Sequence, residues 1–168
     1  NEADFMPRID HFSLKVVCNN EEADQLAATT GCDFRRRFFK ARSNLDKGAI
    51  AFCILADGQI ASIGWVALSE PARKTLDPLP YEVDFSNSEA YMSLLETLPE
   101  HGGKGLATYN TLRITQFLRE KRMRELRYLV AVSSAASQKA ASKVGSNVYA
   151  RARYMKILSC KFWKETPL

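Results

Sequence analysis

The sequence predicts a single α/β domain built on a mixed, mostly antiparallel sheet, and three observations carry that prediction. Two apolar runs, residues 49–56 and 59–68, flank Asp57 and Gly58, a pair that tolerates the positive φ angles of a type I′ hairpin turn. After the hairpin the patterns run strand, helix, strand, helix, strand, the order of a sheet flanked by helices. The 168 residues, 46% hydrophobic and 26% charged, suffice for one buried core, and no repeat or linker divides 1–168.

Taken in order, a loose N-terminus leads to a weakly alternating strand at 13–17. Asn20 then opens a polar helix over 21–29, with an Asx cap, acids in its first turn, and Gly31 at its end. Segment 34–41 is basic around Phe34, Phe38 and Phe39, whose spacing predicts one face of a second short helix. After the hairpin, residues 69–80 carry Pro71, Pro78 and Pro80 with little periodicity, which predicts a long loop lining a site. A strand at 91–98 follows. A helix over 104–122 places Leu106, Ile114, Phe117 and Leu118 on its apolar face, and a strand at 128–132 comes directly after it. A shorter helix over 134–144 stops at Gly145, and the tail, 148–163, alternates as one or two strands.

Composition excludes several classes. The longest apolar stretches, 49–56 and 60–68, fall well short of the roughly 20 residues that span a bilayer. Cys18, Cys32, Cys53 and Cys160 form no C-x-x-C pair and none lies within four residues of His11 or His101, so neither a metal site nor a disulfide framework is expected. Reduced, mostly buried thiols are expected, and with them a cytoplasmic protein, with Cys53 a core thiol. Asn1 in place of Met marks a processed or trimmed chain, from which targeting information is open to loss. Charge is unevenly spread: residues 1–100 hold 10 Lys/Arg against 16 Asp/Glu, whereas residues 101–168 hold 14 against 3. The second part should attract polyanions. No nucleic-acid motif accompanies it, so nucleic acid is not the expected partner.

Residues 98–107, Leu-Pro-Glu-His-Gly-Gly-Lys-Gly-Leu-Ala, pass from a strand through three glycines into a helix. Glycines let the backbone approach a ligand, and the unpaired amides of a first helical turn attract phosphate. Leu106 follows Gly105 where a P-loop needs Ser or Thr after its Lys, and the third glycine of a dinucleotide fingerprint is missing. The plain alternative is a tight strand-to-helix turn.

These residues resemble the pyrophosphate loop of the GNAT superfamily of acetyl-CoA-dependent N-acyltransferases, Arg/Gln-x-x-Gly-x-Gly/Ala after Pro-Glu. Pro99-Glu100, Gly103-Lys104, Gly105 and Ala107 match, while Gly102 stands where Arg or Gln is expected. A second motif of that family, Asn-x-x-Ser, then Tyr, then Lys-x-Gly, is matched by Ser134, Ser137, Lys143 and Gly145, with Ser for Asn and Ala141 for Tyr. The resemblance implies a GNAT-like fold with splayed central strands. It implies acetyl-CoA (coenzyme A) held by strand residue Leu98, by Gly103, Lys104, Gly105, Leu106, Ala107 and Thr108, and by Ser134 and Ser137.

By the same resemblance, the reaction is direct attack of a primary amine, on a small molecule or a peptide, upon the thioester. Glu96 ranks first as proton acceptor, with Glu82 and Asp84 behind it. With Ala141 in place of Tyr, the acid falls to Tyr149, Tyr154 or water, and a non-catalytic acyl-CoA-binding module is the alternative. Segment 69–80 and the helices before residue 45 are expected to wall the acceptor site, with Trp65 and Met92 able to shape an acyl pocket. Three plain readings stand beside these: Arg35 to Arg37 as a solvated helix face, His101 as incidental, Trp65 and Trp163 as core. A homodimer is left open.

Overall fold

In the computed structural model, which describes residues 2–168, the hairpin forms as expected from β2 (Ile50–Ala56) and β3 (Gln59–Ala67). Asp57 at φ 49° and Gly58 at φ 77° both occupy the left-handed region, as a type I′ turn requires. β1 (Phe12–Val17) pairs antiparallel with β2, β4 (Glu89–Thr97) antiparallel with β3, and β5 (Glu125–Arg127) parallel with β4. The five strands lie in chain order, giving the mixed, mostly antiparallel sheet.

All seven residues of β2 are buried, which explains why its sequence is a continuous apolar run rather than an alternation. Ala51, Cys53 and Leu55 join Ile63 and Trp65 under α1 (Asn20–Thr30), α2 (Ala41–Asp46) and α3 (Glu70–Leu76). On the opposite face Ile50 and Phe52 pack with Ile114 and Leu118 of α4 (Leu106–Glu120). Desolvation by burial holds the Cys53 thiol far above its ordinary range, so it stays protonated in the core, but Cys18 and Cys160 are exposed and Cys32 half-buried, against the expectation of mostly buried thiols.

Several elements differ from the sequence reading. The cap of α1 is Asn19, whose side chain accepts from the Glu22 amide. Residues 34–41 are not one helix: a 3-10 turn over Phe34–Arg36 ends at Arg37, and Lys40 at φ 63° starts α2 in the left-handed region. Phe34 is in the core, whereas Phe39 is 86% exposed, so the Phe spacing only imitated a helical face. Arg35 is held by Asp33 and Asp24, at 2.8 and 2.5 Å, instead of projecting into solvent. Residues 69–80 contain α3: Pro71 sits in its first turn, where the missing N–H costs nothing, and Pro78 and Pro80 lie beyond its end.

β4 carries a bulge. Ser93 pairs with Trp65 and Glu96 with Ile63, so Leu94 and Leu95 together face Gly64. Leu94 takes φ 51°, a conformation costly for a branched side chain, and is half exposed. A Cβ on Gly64 would lie 3.1 to 3.3 Å from Ile114, Leu95 and Asn110, so α4 and the bulge close together only over glycine. Pairing of β4 with β5 covers only Glu89–Tyr91 against Glu125–Arg127. The strand expected at 128–132 is therefore irregular chain without a ladder, with Val132 in a turn. The central strands splay at this point, leaving one edge of the far half of β4 open.

Beyond it come α5 (Ala135–Lys143) and a separate two-stranded hairpin, β6 (Ala150–Ile157) with β7 (Cys160–Pro167). The hairpin meets the body through Trp163, whose ring lies 6.0 Å from that of Tyr81.

Candidate functional site

The chain after β4 makes a 3-10 turn, Pro99–His101, then bends through Gly103 and Gly105 at φ 73° and 85° into α4. Gly105 caps α4 without a side-chain hydrogen bond, and the first intrahelical bond is Tyr109 N–H to Gly105 O at 3.0 Å. The amides of Leu106, Ala107 and Thr108 are thus not used by the helix. They adjoin a cavity of about 510 Å³ lined by Gly103, Lys104, Gly105 and Thr108, with Lys139 and Lys143 from α5 and Asp4, Phe5, Met6 and Arg8 from the N-terminal segment. Lys139 and Lys143 stand one turn apart on α5. The Arg8 amide donates to Lys104 O at 2.8 Å, tying the N-terminal segment to the loop. Four cations against one acid give this cavity a positive potential.

A second cavity, about 290 Å³, is lined by Phe38, Phe39, Lys40, Asn44, Trp65, Thr75, Leu76, Pro78, Leu94 and Glu96. Both segments expected to wall an acceptor site contribute to it. One stretch of chain links the two: Glu96 of β4 lines the second cavity, and Gly103, seven residues on, lines the first.

The other named residues lie elsewhere. Leu98 and Leu106 are core side chains, so only their backbone is available to a ligand, and Ala107 is half-buried. Ser134 Oγ donates to Ser137 Oγ at 2.8 Å at the exposed start of α5, and neither lines either of these two cavities. Glu82 is exposed on the connection before β4. Asp84 caps a short turn, accepting from Ser86 Oγ and the Asn87 amide, bonds that hold its carboxyl below the ordinary range. The Tyr149 hydroxyl is hydrogen-bonded to that of Tyr81, and the Arg127 guanidinium sits 5.1 Å over the Tyr149 ring. Burial, then the bond to Tyr149, push the Tyr81 phenol above its usual value. Tyr154 stands on β6 opposite Trp163, and Met92 packs on the α4 face of the sheet.

Sequence reasoning missed the N-terminal wall, Arg8 above all, and the pairing of Lys139 with Lys143. The basic bias of residues 101–168 was the signal for the lysines. Among the described residues no cluster of His, Cys, Asp and Glu could hold a metal, and no helix is long and apolar enough to cross a membrane.

No model of a protein family matches the sequence, and no curated protein matches it. Solved structures do. The aminoglycoside acetyltransferase AAC(6')-Iy, in complex with the bisubstrate analog CoA-S-monomethyl-acetylneamine, superposes with TM-score 0.60 at 13% identity over 88% of this chain and 99% of its own. A ribosomal-protein-alanine N-acetyltransferase from Brucella melitensis biovar Abortus 2308 gives TM-score 0.57 at 15% identity, covering 87% and 99%. AAC(6')-Ih from Acinetobacter baumannii gives 0.56 at 13%, covering 87% and 97%. The chain has the fold of the GNAT acetyltransferases.

Proposed function

We propose that this GNAT-fold chain is a cytoplasmic N-acyltransferase that binds acetyl-CoA at the glycine loop and passes an acetyl or short acyl group to a primary amine in the second cavity. The observation that carries the reading is that β4 places a carboxylate in one cavity and leads, through the 3-10 turn that follows it, into a glycine loop lining a basic one. The loop fits the cofactor's phosphates: the free amides of Leu106, Ala107 and Thr108 lie between Gly105 and Thr108, which line a basic cavity, and nothing lies within 4 Å of where a Cβ on Gly103 would be. Lys104, Lys139, Lys143 and Arg8 supply countercharge, and Ser134 and Ser137 are assigned to the pantetheine side. Acetyl-CoA supplies the activated acyl group.

The chain's own residues then orient the amine and manage its proton. Glu96 accepts that proton, directly or through water, as the amine nitrogen forms its bond to the acyl carbon. The open edge of β4 at the bulge offers backbone N–H to the developing oxyanion. Tyr149, Tyr154 and Glu82 line neither cavity, so water is assigned the return of a proton to the thiolate. Ala141 at the family's Tyr position favours a second reading, an acyl-CoA-binding module without turnover.

Thermal unfolding with acetyl-CoA, beside thiol release against a pooled amine library, tests both. Ligand at 100 times its Kd stabilises by roughly 2.7 kcal/mol. Stabilisation with amine-dependent thiol release supports the enzyme; stabilisation with no release across the library supports the module. Gly105→Trp, at φ 85° with a Cβ 3.9 Å from Pro7, is expected to abolish the acetyl-CoA response. A Lys139→Glu, Lys143→Glu double variant, changing exposed side chains only, is expected to weaken acetyl-CoA at least about tenfold. Unchanged binding in both removes the site.

A further inference from the structure

We propose that the acceptor is a small, singly charged primary amine on an aromatic or aliphatic body, and not a polycation; this rests on the acyltransferase reading above. Four features of the second cavity carry it. Its walls are chiefly apolar, from Phe38, Phe39, Trp65, Leu76, Pro78 and Leu94. Its size, about 290 Å³, sits at the bottom of the roughly 300–1,000 Å³ usual for small-molecule sites. Among its lining residues Glu96 is the one carboxylate and Lys40 the one cation, with the Lys40 Nζ 5.5 Å over the Phe39 ring. One ammonium can face Glu96; a second would meet Lys40 and hydrocarbon, which a polycation cannot avoid in so small a space.

Asn44 also contributes to the wall; it is 1% exposed, and its Oδ1, closed to solvent, has no hydrogen-bond partner. The fourth feature is an exposed aromatic. Phe39, an exposed aromatic set at the mouth by the left-handed Lys40, supplies a ring for the acceptor body to lie against.

The experiment compares phenethylamine and isoamylamine with spermidine and neamine, by acetyl transfer and by direct binding. Trp65 and Trp163 are the chain's two tryptophans, so a Trp163→Phe variant reports Trp65 fluorescence alone, with no acetyl-CoA needed. We expect kcat/KM for phenethylamine at least about tenfold above that for spermidine, and saturable quenching of Trp65 by phenethylamine. Phe39→Ala, at an exposed position, should raise the phenethylamine KM about fivefold and leave the acetyl-CoA KM unchanged. Lys40→Glu should narrow the gap between monoamine and spermidine. Spermidine or neamine preferred, or no Trp65 response while acetyl-CoA still stabilises the protein, overturns this inference and leaves the acyltransferase reading standing. Loss of the acetyl-CoA response itself overturns the acyltransferase reading, whatever Trp65 reports.

Discussion

The two ends of this chain solve different problems. Up to Leu118 it builds a dry interior around β2, a strand buried on both faces; among the described residues none beyond Leu118 is fully buried. The later part, with its surplus of Lys and Arg, is fastened by the short β4–β5 ladder and a few side-chain ties: Tyr149 to Tyr81, Arg127 to Glu89 at 2.6 Å, and the Trp163 ring against Tyr81. Stability resides in the first region, whereas the cations of the basic cavity are shared, Arg8 and Lys104 from the first and Lys139 and Lys143 from the second. Substitutions in the second region should therefore alter ligand binding more than folding.

The largest test of that contrast exchanges the two tryptophans for alanine. Trp65→Ala empties a site that is 1% exposed in the main cluster and should cost about 3–5 kcal/mol in urea unfolding. Trp163→Ala, in the half-buried hairpin contact, should cost about 1 kcal/mol or less. Equal losses would erase the distinction. Next, Gly64→Val forces β carbons against Ile114, Leu95 and Asn110 and should destabilise by about 1–3 kcal/mol, read by the same unfolding curve.

A smaller effect sharpens the comparison by pH. The hydrogen bond from Arg35 is the main cause holding the Asp33 carboxyl below its ordinary value. Its contribution is therefore present above the unfolded Asp pKa of about 3.9 and lost as pH falls through the lower folded value. Asp33→Asn, which keeps the cap oxygen, should lose about 1 kcal/mol at pH 7, with wild type and variant converging below about pH 4. A constant difference across that range would mean that the carboxylate charge does not matter. Hydrogen exchange gives the last contrast: amides of β2 should open only with global unfolding, and those of β6 and β7 by local opening.

What the sequence made legible follows from how local each signal is. Asp57-Gly58 fixes its turn by backbone preference alone, and the run of glycines before α4 announces itself the same way. α3 was hidden because a proline in a first turn and prolines past a C-terminus look, in a list of residues, like a loop. The Phe34, Phe38, Phe39 spacing misled because Asp33 and Asp24 draw Arg35 inward and Lys40 breaks the helical course. The strand at 128–132 failed for a reason outside itself, since the neighbouring edge of β4 turns away. Arg8 beside Lys104 and the orphan carbonyl of Asn44 depend on distant chain and leave no local mark.

The bulge in β4 also resets the strand's parity. Counting by twos from Tyr91, through Ser93 and Leu95, would send Glu96 to the side of the sheet where Met92 meets α4. The inserted residue shifts the count by one, so Ser93 and Glu96, three apart, both stand on the side of Trp65 and Ile63. A carboxylate thereby joins an aromatic cavity that simple alternation would deny it. Removing Leu94 would restore an even ladder while keeping Ser93 opposite Trp65 and Glu96 opposite Ile63, so the bulge's backbone and the carboxylate's position are separable by one deletion.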